Sequence, residues 1–292
     1  MRSSVGDSQR TSAPTDATMR SAESIGSLRY CAGVSEPPSL SAEAWEAVRA
    51  SQSRAGVTIR TVEDHQGIED ARGIFDEVWP PLEGGTQLPP NLFIALLHAG
   101  GYACVAYAGG APVGATMGFL GEGNHIHSHM AGVVESHRNQ HIGTAMKMHQ
   151  RAWCLDRGID TVIWTFDPLV KRNARLNITK LGVDVEGYEP DYYGEMPDAI
   201  NAGDPSDRMF AVWHLGSDTA RHALHEPVPS VNPTPEDRVI EIPDDIVAIR
   251  QHNPVEAQRW RMEVRTRMMA ALDEGFAVRG LTDAGSYAMR AS

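Results

Sequence analysis

The stretch Val133-Val134-Glu135-Ser136-His137-Arg138-Asn139-Gln140-His141-Ile142-Gly143-Thr144-Ala145 constrains the fold more than any other part of the chain. It reads as the end of a strand, a tight turn of small and polar residues, and the first turn of a helix. That helix carries Ile142, Met146, His149 and Trp153 on one face, with Lys147, Gln150, Arg151 and Asp156 off it. A strand–turn–helix of this kind aims several backbone N–H groups and the positive end of a helix dipole at one small volume. A phosphate or pyrophosphate suits such a volume.

The chain on either side reads as an α/β protein. Residues 1–40 are rich in Ser, Ala, Thr, Gly and Pro and are expected as a disordered tail. A short helical pattern begins at Ser41. Val57–Val62 alternates as a strand, and Asp64 can cap a helix with Ile68, Ala71, Ile74, Phe75 and Val78 on one stripe. After Pro80-Pro81 comes a second helix, Asn91–His98. Tyr102–Ala108 and Val113–Phe119 flank Gly109-Gly110 as a hairpin, and His125–Val134 is a fourth strand. Beyond the central helix, Thr161–Phe166 is a strand and Pro168 opens a helix reaching Leu181, with Gly182 behind it. Val183–Tyr188 and Met209–Leu215 are two late strands. A Pro-rich linker occupies 217–236. Residues 237–292 then read as a small strand–helix–strand unit packed on the first domain (41–216). Its helix starts at Asn253-Pro254 and carries Ala257, Trp260, Val264, Met268 and Leu272 as its apolar stripe.

Charge and composition remove several classes of function. A net charge of −12 argues against sequence-independent binding to nucleic acid or to an anionic membrane. No run of 18 apolar residues and no apolar leader is present, so neither a membrane span nor a signal peptide is expected. Cys31, Cys104 and Cys154 are odd in number and far apart, which makes a reducing cytoplasm the expected setting. His125, His127 and His129 alternate and would share one sheet face. They leave open a metal-dependent enzyme as one reading. Arg259, Arg261, Arg265 and Arg267 lie on the C-terminal helix, and Arg261 and Arg265 are candidates to bind an acidic acyl group or acceptor.

Arg138-x-x-His141-x-Gly143 resembles the acyl-CoA-binding turn of the GCN5-related N-acetyltransferases (GNAT), Arg/Gln-x-x-Gly-x-Gly/Ala, with His141 where the family has its first glycine. The element order β-α-α-β-β-β-α-β-α-β-β is also that of the GNAT fold. Trp164-Thr-Phe-Asp-Pro-Leu169, Asn173-Ala-Arg-Leu-Asn177 and Leu181-Gly182 resemble a subgroup of predicted bacterial acetyltransferases. The resemblance implies a central mixed sheet flanked by helices, with a small α/β C-terminal extension. It further implies acetyl-CoA or another acyl-CoA as co-substrate; no metal is expected, and the expected acceptor is a small-molecule amine, which the resemblance does not specify. A homodimer stays open.

The resemblance assigns the pantetheine arm to Ala131, Val133 and Asn173. It assigns the pyrophosphate to Arg138, Asn139, Gln140, His141, Ile142, Gly143 and Thr144. Histidine at 141 is expected to require a negative φ, with its ring free to bond a phosphate oxygen. The tyrosine that many relatives use to protonate the leaving thiolate is replaced by Ile178, which directs attention to Tyr193 and its neighbours. Asp167 and His129 are the candidate bases, and Trp164 is a candidate substrate contact. An acyl-CoA-binding protein without turnover is the third reading.

Overall fold

The computed structural model describes residues 39–81, 85–194 and 204–291, which form one compact unit. The segment expected as a tail falls outside them up to residue 38. The chain enters through α1 (Leu40–Ala55), capped by the Ser39 hydroxyl and ended by Gly56 in the left-handed region. This helix is far longer than the short pattern expected. Its Ala44 and Val48 are buried, and Trp45 donates its indole N–H to Asp156 at 2.7 Å.

β1 (Thr58–Thr61) and α2 (His65–Val78) follow, with Asp64 accepting from the Gly67 amide at 2.8 Å. Next come α3 (Pro90–His98), β2 (Tyr102–Ala108), β3 (Ala111–Gly121) and β4 (His125–Val133). A 3-10 turn (Glu135–His137) leads into α4 (Ile142–Leu155), then β5 (Thr161–Phe166). The helix expected from Pro168 begins only at Lys171. The Asp167 carboxylate takes the Leu169 amide and the Pro168 carbonyl accepts from the Tyr287 hydroxyl, so neither group serves a helix. α5 (Lys171–Ala174) passes directly into a π-helix (Arg175–Leu181) that ends at left-handed Gly182.

β6 (Asp184–Glu189) and β7 (Arg208–His214) complete the main sheet, whose order is β1-β2-β3-β4-β5-β7-β6. All neighbours are antiparallel except β4 and β5, which run parallel. The short helix α6 (Asp218–His222) lies within the stretch expected as linker. The last part comprises β8 (Arg238–Ile240), α7 (Ile246–His252), α8 (Pro254–Asp273), β9 (Phe276–Leu281) and β10 (Tyr287–Ala291), with a second sheet in the order β8-β10-β9.

The protein is therefore a mixed α/β structure with a large mixed sheet flanked by helices. Apolar side chains from the main sheet (Met117, Trp213) and from the last part (Ile240, Val264, Met268, Tyr287) belong to one continuous core. Among the described residues no helix is long and apolar enough to cross a membrane.

Candidate active site

β4 and β5 pair only at Ile126↔Val162 and His127↔Ile163. Beyond those rungs each strand stays bonded to its other neighbour, β4 to β3 as far as Val133 and β5 to β7 as far as Phe166. The two strands part like a V. At the vertex β4 also carries a bulge, because Met117 faces Met130 while Gly118 faces Ser128, leaving His129 unopposed. A bulge kinks its strand and adds twist, which is how β4 swings away from β5.

At the open end of β4 lies the turn. Asn139 and His141 both adopt left-handed φ, 65° and 62°. The expectation that His141 sits at negative φ is therefore wrong. The turn needs the left-handed backbone there, and the histidine takes it at a cost of about 1 kcal/mol. Its ring is exposed and caps nothing. The amides of Asn139 through Thr144 make no hydrogen bond to another described residue, whereas Ala145 already donates to the His141 carbonyl at 3.0 Å. A Cβ built on Gly143 would meet nothing within 4 Å, so no packing demands a glycine at that position. The half-buried Arg138 lies beside this turn, 3.7 Å from the exposed Glu135. Ala131 and Val133 face α4, since a Cβ on the intervening Gly132 would point at Val78 and Trp79 of α2. Asn173 is half-buried in α5 with its side-chain amide free among the described residues.

The opposite face of the V carries aromatic and imidazole rings. Phe119 stacks on His127 at 5.1 Å and lies 5.9 Å from His129, with the two imidazoles 6.1 Å apart. Burial lowers the pKa of both histidines, and at His127 the neighbouring His129, His125 and Lys147 add to the effect. Across the gap, continuing the register from His127↔Ile163 places Thr165 opposite His129. Tyr193 joins its hydroxyl to Thr165 Oγ1 at 2.9 Å. Among the described residues no set of three His, Cys, Asp or Glu side chains is placed to hold a metal ion, and Phe119 packs against two of the three alternating histidines.

Three expected roles meet a different geometry. Asp167 is buried and receives Arg261 through both carboxylate oxygens at 2.9 Å, and Arg250 as well. Burial alone would raise its pKa. The two guanidinium groups outweigh that and hold it well below the ordinary carboxylate value, which removes any affinity for a proton near neutrality. Arg261, 1% exposed, also donates to Asp204 while its buried Nε has no partner among the described residues, and Arg265 is paired with buried Asp207. Both arginines are committed to carboxylates within the chain. They latch α8 onto the loop after β5 and the start of β7. Trp164 is also buried, with its ring under the Lys147 ammonium at 3.8 Å and edge-on to Trp213.

Lys147, Gln150 and Arg151, expected off the buried face of α4, are all buried. α1 covers the outer side of α4 while the sheet covers its inner side. Two clefts elsewhere, one beside α2 lined by Arg60, Asp70 and Tyr107 and one lined by Leu97, Leu120 and Trp153, touch neither the turn nor the V.

These features define an α/β domain whose sheet parts beside a helix N-terminus with free amides. Residues 68–182, from α2 to the end of the π-helix, match the model of the Acetyltransferase (GNAT) family. Similar solved structures include Ard1 from Thermoplasma volcanium (17% identity, 54% of this chain and 96% of that one, TM-score 0.42). The IAA acetyltransferase from Bacillus cereus has 15% identity, 54% and 98% coverage, and a TM-score of 0.42. The ribosomal-protein-S18-alanine N-acetyltransferase from Escherichia coli has 13% identity, 55% and 95% coverage, and a TM-score of 0.45. Likeness at that level carries no weight for the activity. No curated protein matches the chain.

Proposed function

We propose that this protein is an N-acyltransferase of the bacterial subgroup its Trp164–Leu169 and Asn173–Asn177 segments resemble, moving an acetyl or related acyl group from acyl-CoA to the amine of a small molecule. The observation that carries the reading is the coincidence of two features on one strand. β4 leaves β5 at His127, and the same strand ends in a turn whose amides, Asn139 to Thr144, are free. A pyrophosphate fits those amides and the open space over Gly143. Ala131, Val133 and Asn173 then line the arm between turn and vertex, and Arg138 adds a positive charge.

A bound acyl-CoA supplies an activated thioester. His129, neutral because burial disfavours its charged form, takes the proton from the attacking amine. Tyr193, held by Thr165 on the opposite lip, donates a proton toward the departing sulfur. Tyr188 cannot share that task, since its hydroxyl is committed to Asp207. Direct attack fits a site whose cysteines, Cys104 and Cys154, are buried with their thiols pushed up to about 12 by burial.

Calorimetric titration with CoA and acetyl-CoA tests the reading. Saturable binding to the native chain is expected. In Gly143→Val, whose side chain enters the space reserved for phosphate, binding should fall at least tenfold, about 1.4 kcal/mol, while the fold is kept. A native chain that binds neither compound would sink the proposal.

A further inference from the structure

Lys147 is 5% exposed, yet among the described residues its ammonium has no carboxylate partner. It donates to Ser128 Oγ at 2.9 Å and Gln150 Oε1 at 3.0 Å, and otherwise rests on the Trp164 ring. Two other buried cations among the described residues are treated differently. Arg261 holds Asp167 and Asp204, and Arg151 has Glu43 at 3.6 Å. The thiols of Cys104 and Cys154 interact with Lys147 electrostatically, but burial keeps them protonated and they supply no negative charge. A cation buried without an anion is costly. Its pKa, driven down to about 7 by burial, reports that cost.

A second observation points the same way. The Gln150 amide oxygen is used by Lys147, and its Nε2 is buried with no acceptor among the described residues. Trp213 Nε1, beside Trp164, is also without one. Donors outnumber acceptors here, which is unusual for a folded interior. The place matters too. Ser128 is the first β4 residue past the last rung with β5, and Trp164 is the first β5 residue past it. Lys147 spans the two from the α4 side, so its ammonium sits at the closed end of the V.

We infer that Lys147 and Gln150 form a carboxylate-binding subsite at the vertex, selecting an acyl group that carries a terminal carboxylate, as in the thioester of a four-carbon dicarboxylic acid. The inference rests on the acyl-CoA reading of the V. A carboxylate there supplies the missing counter-ion to Lys147 and accepts from Gln150 Nε2. An uncharged acyl chain of equal length does neither.

Binding of succinyl-CoA and butyryl-CoA to the full chain, measured by calorimetry, decides the matter without knowledge of the acceptor. Hydrogen bonds to a charged group predict that succinyl-CoA binds about tenfold or more tightly than butyryl-CoA. In Lys147→Met, which removes the charge and keeps an apolar stem, that ratio should fall to about one. Gln150→Leu should lower it in part and serves as the test if Lys147→Met does not fold. Equal affinities in the native chain, as expected if a buried water satisfies the Gln150 amide, would overturn the subsite and leave the acyl-CoA reading intact. A ratio that survives both substitutions would overturn it as well. Failure of every CoA compound to bind removes both proposals together.

Discussion

His129 stands at the bulge of β4 because two residues of that strand oppose one of β3, and its ring lies beside Phe119 and His127. Burial disfavours its imidazolium and places its pKa below the ordinary 6.5. A base must be neutral to act, so kcat/KM for an accepted amine should fall as pH drops through an inflection below 6.5. His129→Gln should lower kcat/KM about 100-fold or more and erase that acid-side inflection. An inflection retained in the variant would reject His129 as the base. Residue-level reading of the sequence is sound where local chemistry is decisive. Asp64 and Asn253 are visible as caps, and each accepts the backbone amide expected of it. It fails where a partner distant in sequence decides. Nothing near Asp167 announces Arg261, 94 positions away. His141 fails for another reason: the turn dictates φ, and the side chain yields to it.

Elements with strong periodicity, the seven strands of the main sheet and the helices α2 to α4, were legible because alternation or a 3.6-residue stripe marks each one. α7 was not. Its seven residues follow Pro243 and carry Ile246, Val247 and Ile249, a composition that suits strand as well as helix until Asp245 caps it. α8 held a readable clue. Its buried stripe runs Ala257, Arg261, Val264, Met268, with a charged residue at a core position, and a buried arginine calls for buried acids. Of the expected stripe, Ala257, Val264 and Met268 are buried, while Trp260 and Leu272 give way to their neighbours Arg261 and Ala271.

The latch of α8 should dominate local stability. Arg261→Met leaves Asp167 with Arg250 alone and should cost about 3 kcal/mol in urea unfolding at neutral pH. Asp167 and Asp207 have folded pKa values below their ordinary 3.8. Their stabilisation is therefore present above that value and lost as pH falls through and below it. The native chain should lose stability on acidification in that window, and Arg261→Met should lose less. Parallel acid profiles for the two proteins would mean that Arg261 is not what holds Asp167 ionised.

At the scale of the molecule, the sequence divides at a Pro-rich stretch, and composition alone suggests two bodies. The packing argues for one. Tyr287 of β10 is fully buried and donates to the Pro168 carbonyl at 2.8 Å, and Lys171 reaches Asp244 at 2.6 Å. Val264 and Met268 of α8 enter the same core as Met117 and Trp213. Two helices and three short strands bury too little surface to persist alone, and the loop after β5 has its polar groups met by the last part of the chain. Loss of the last part would leave Asp167, Asp204 and Asp207 without their arginines. Thermal unfolding of the described unit should therefore be a single transition, with calorimetric and van't Hoff enthalpies in agreement. Intrinsic fluorescence, which samples both the main sheet through Trp164 and Trp213 and α8 through Trp260, should follow the same curve as far-UV circular dichroism. Two resolved transitions, one removed by deleting residues 237–292, would mean that the ionic latch joins two independently stable domains.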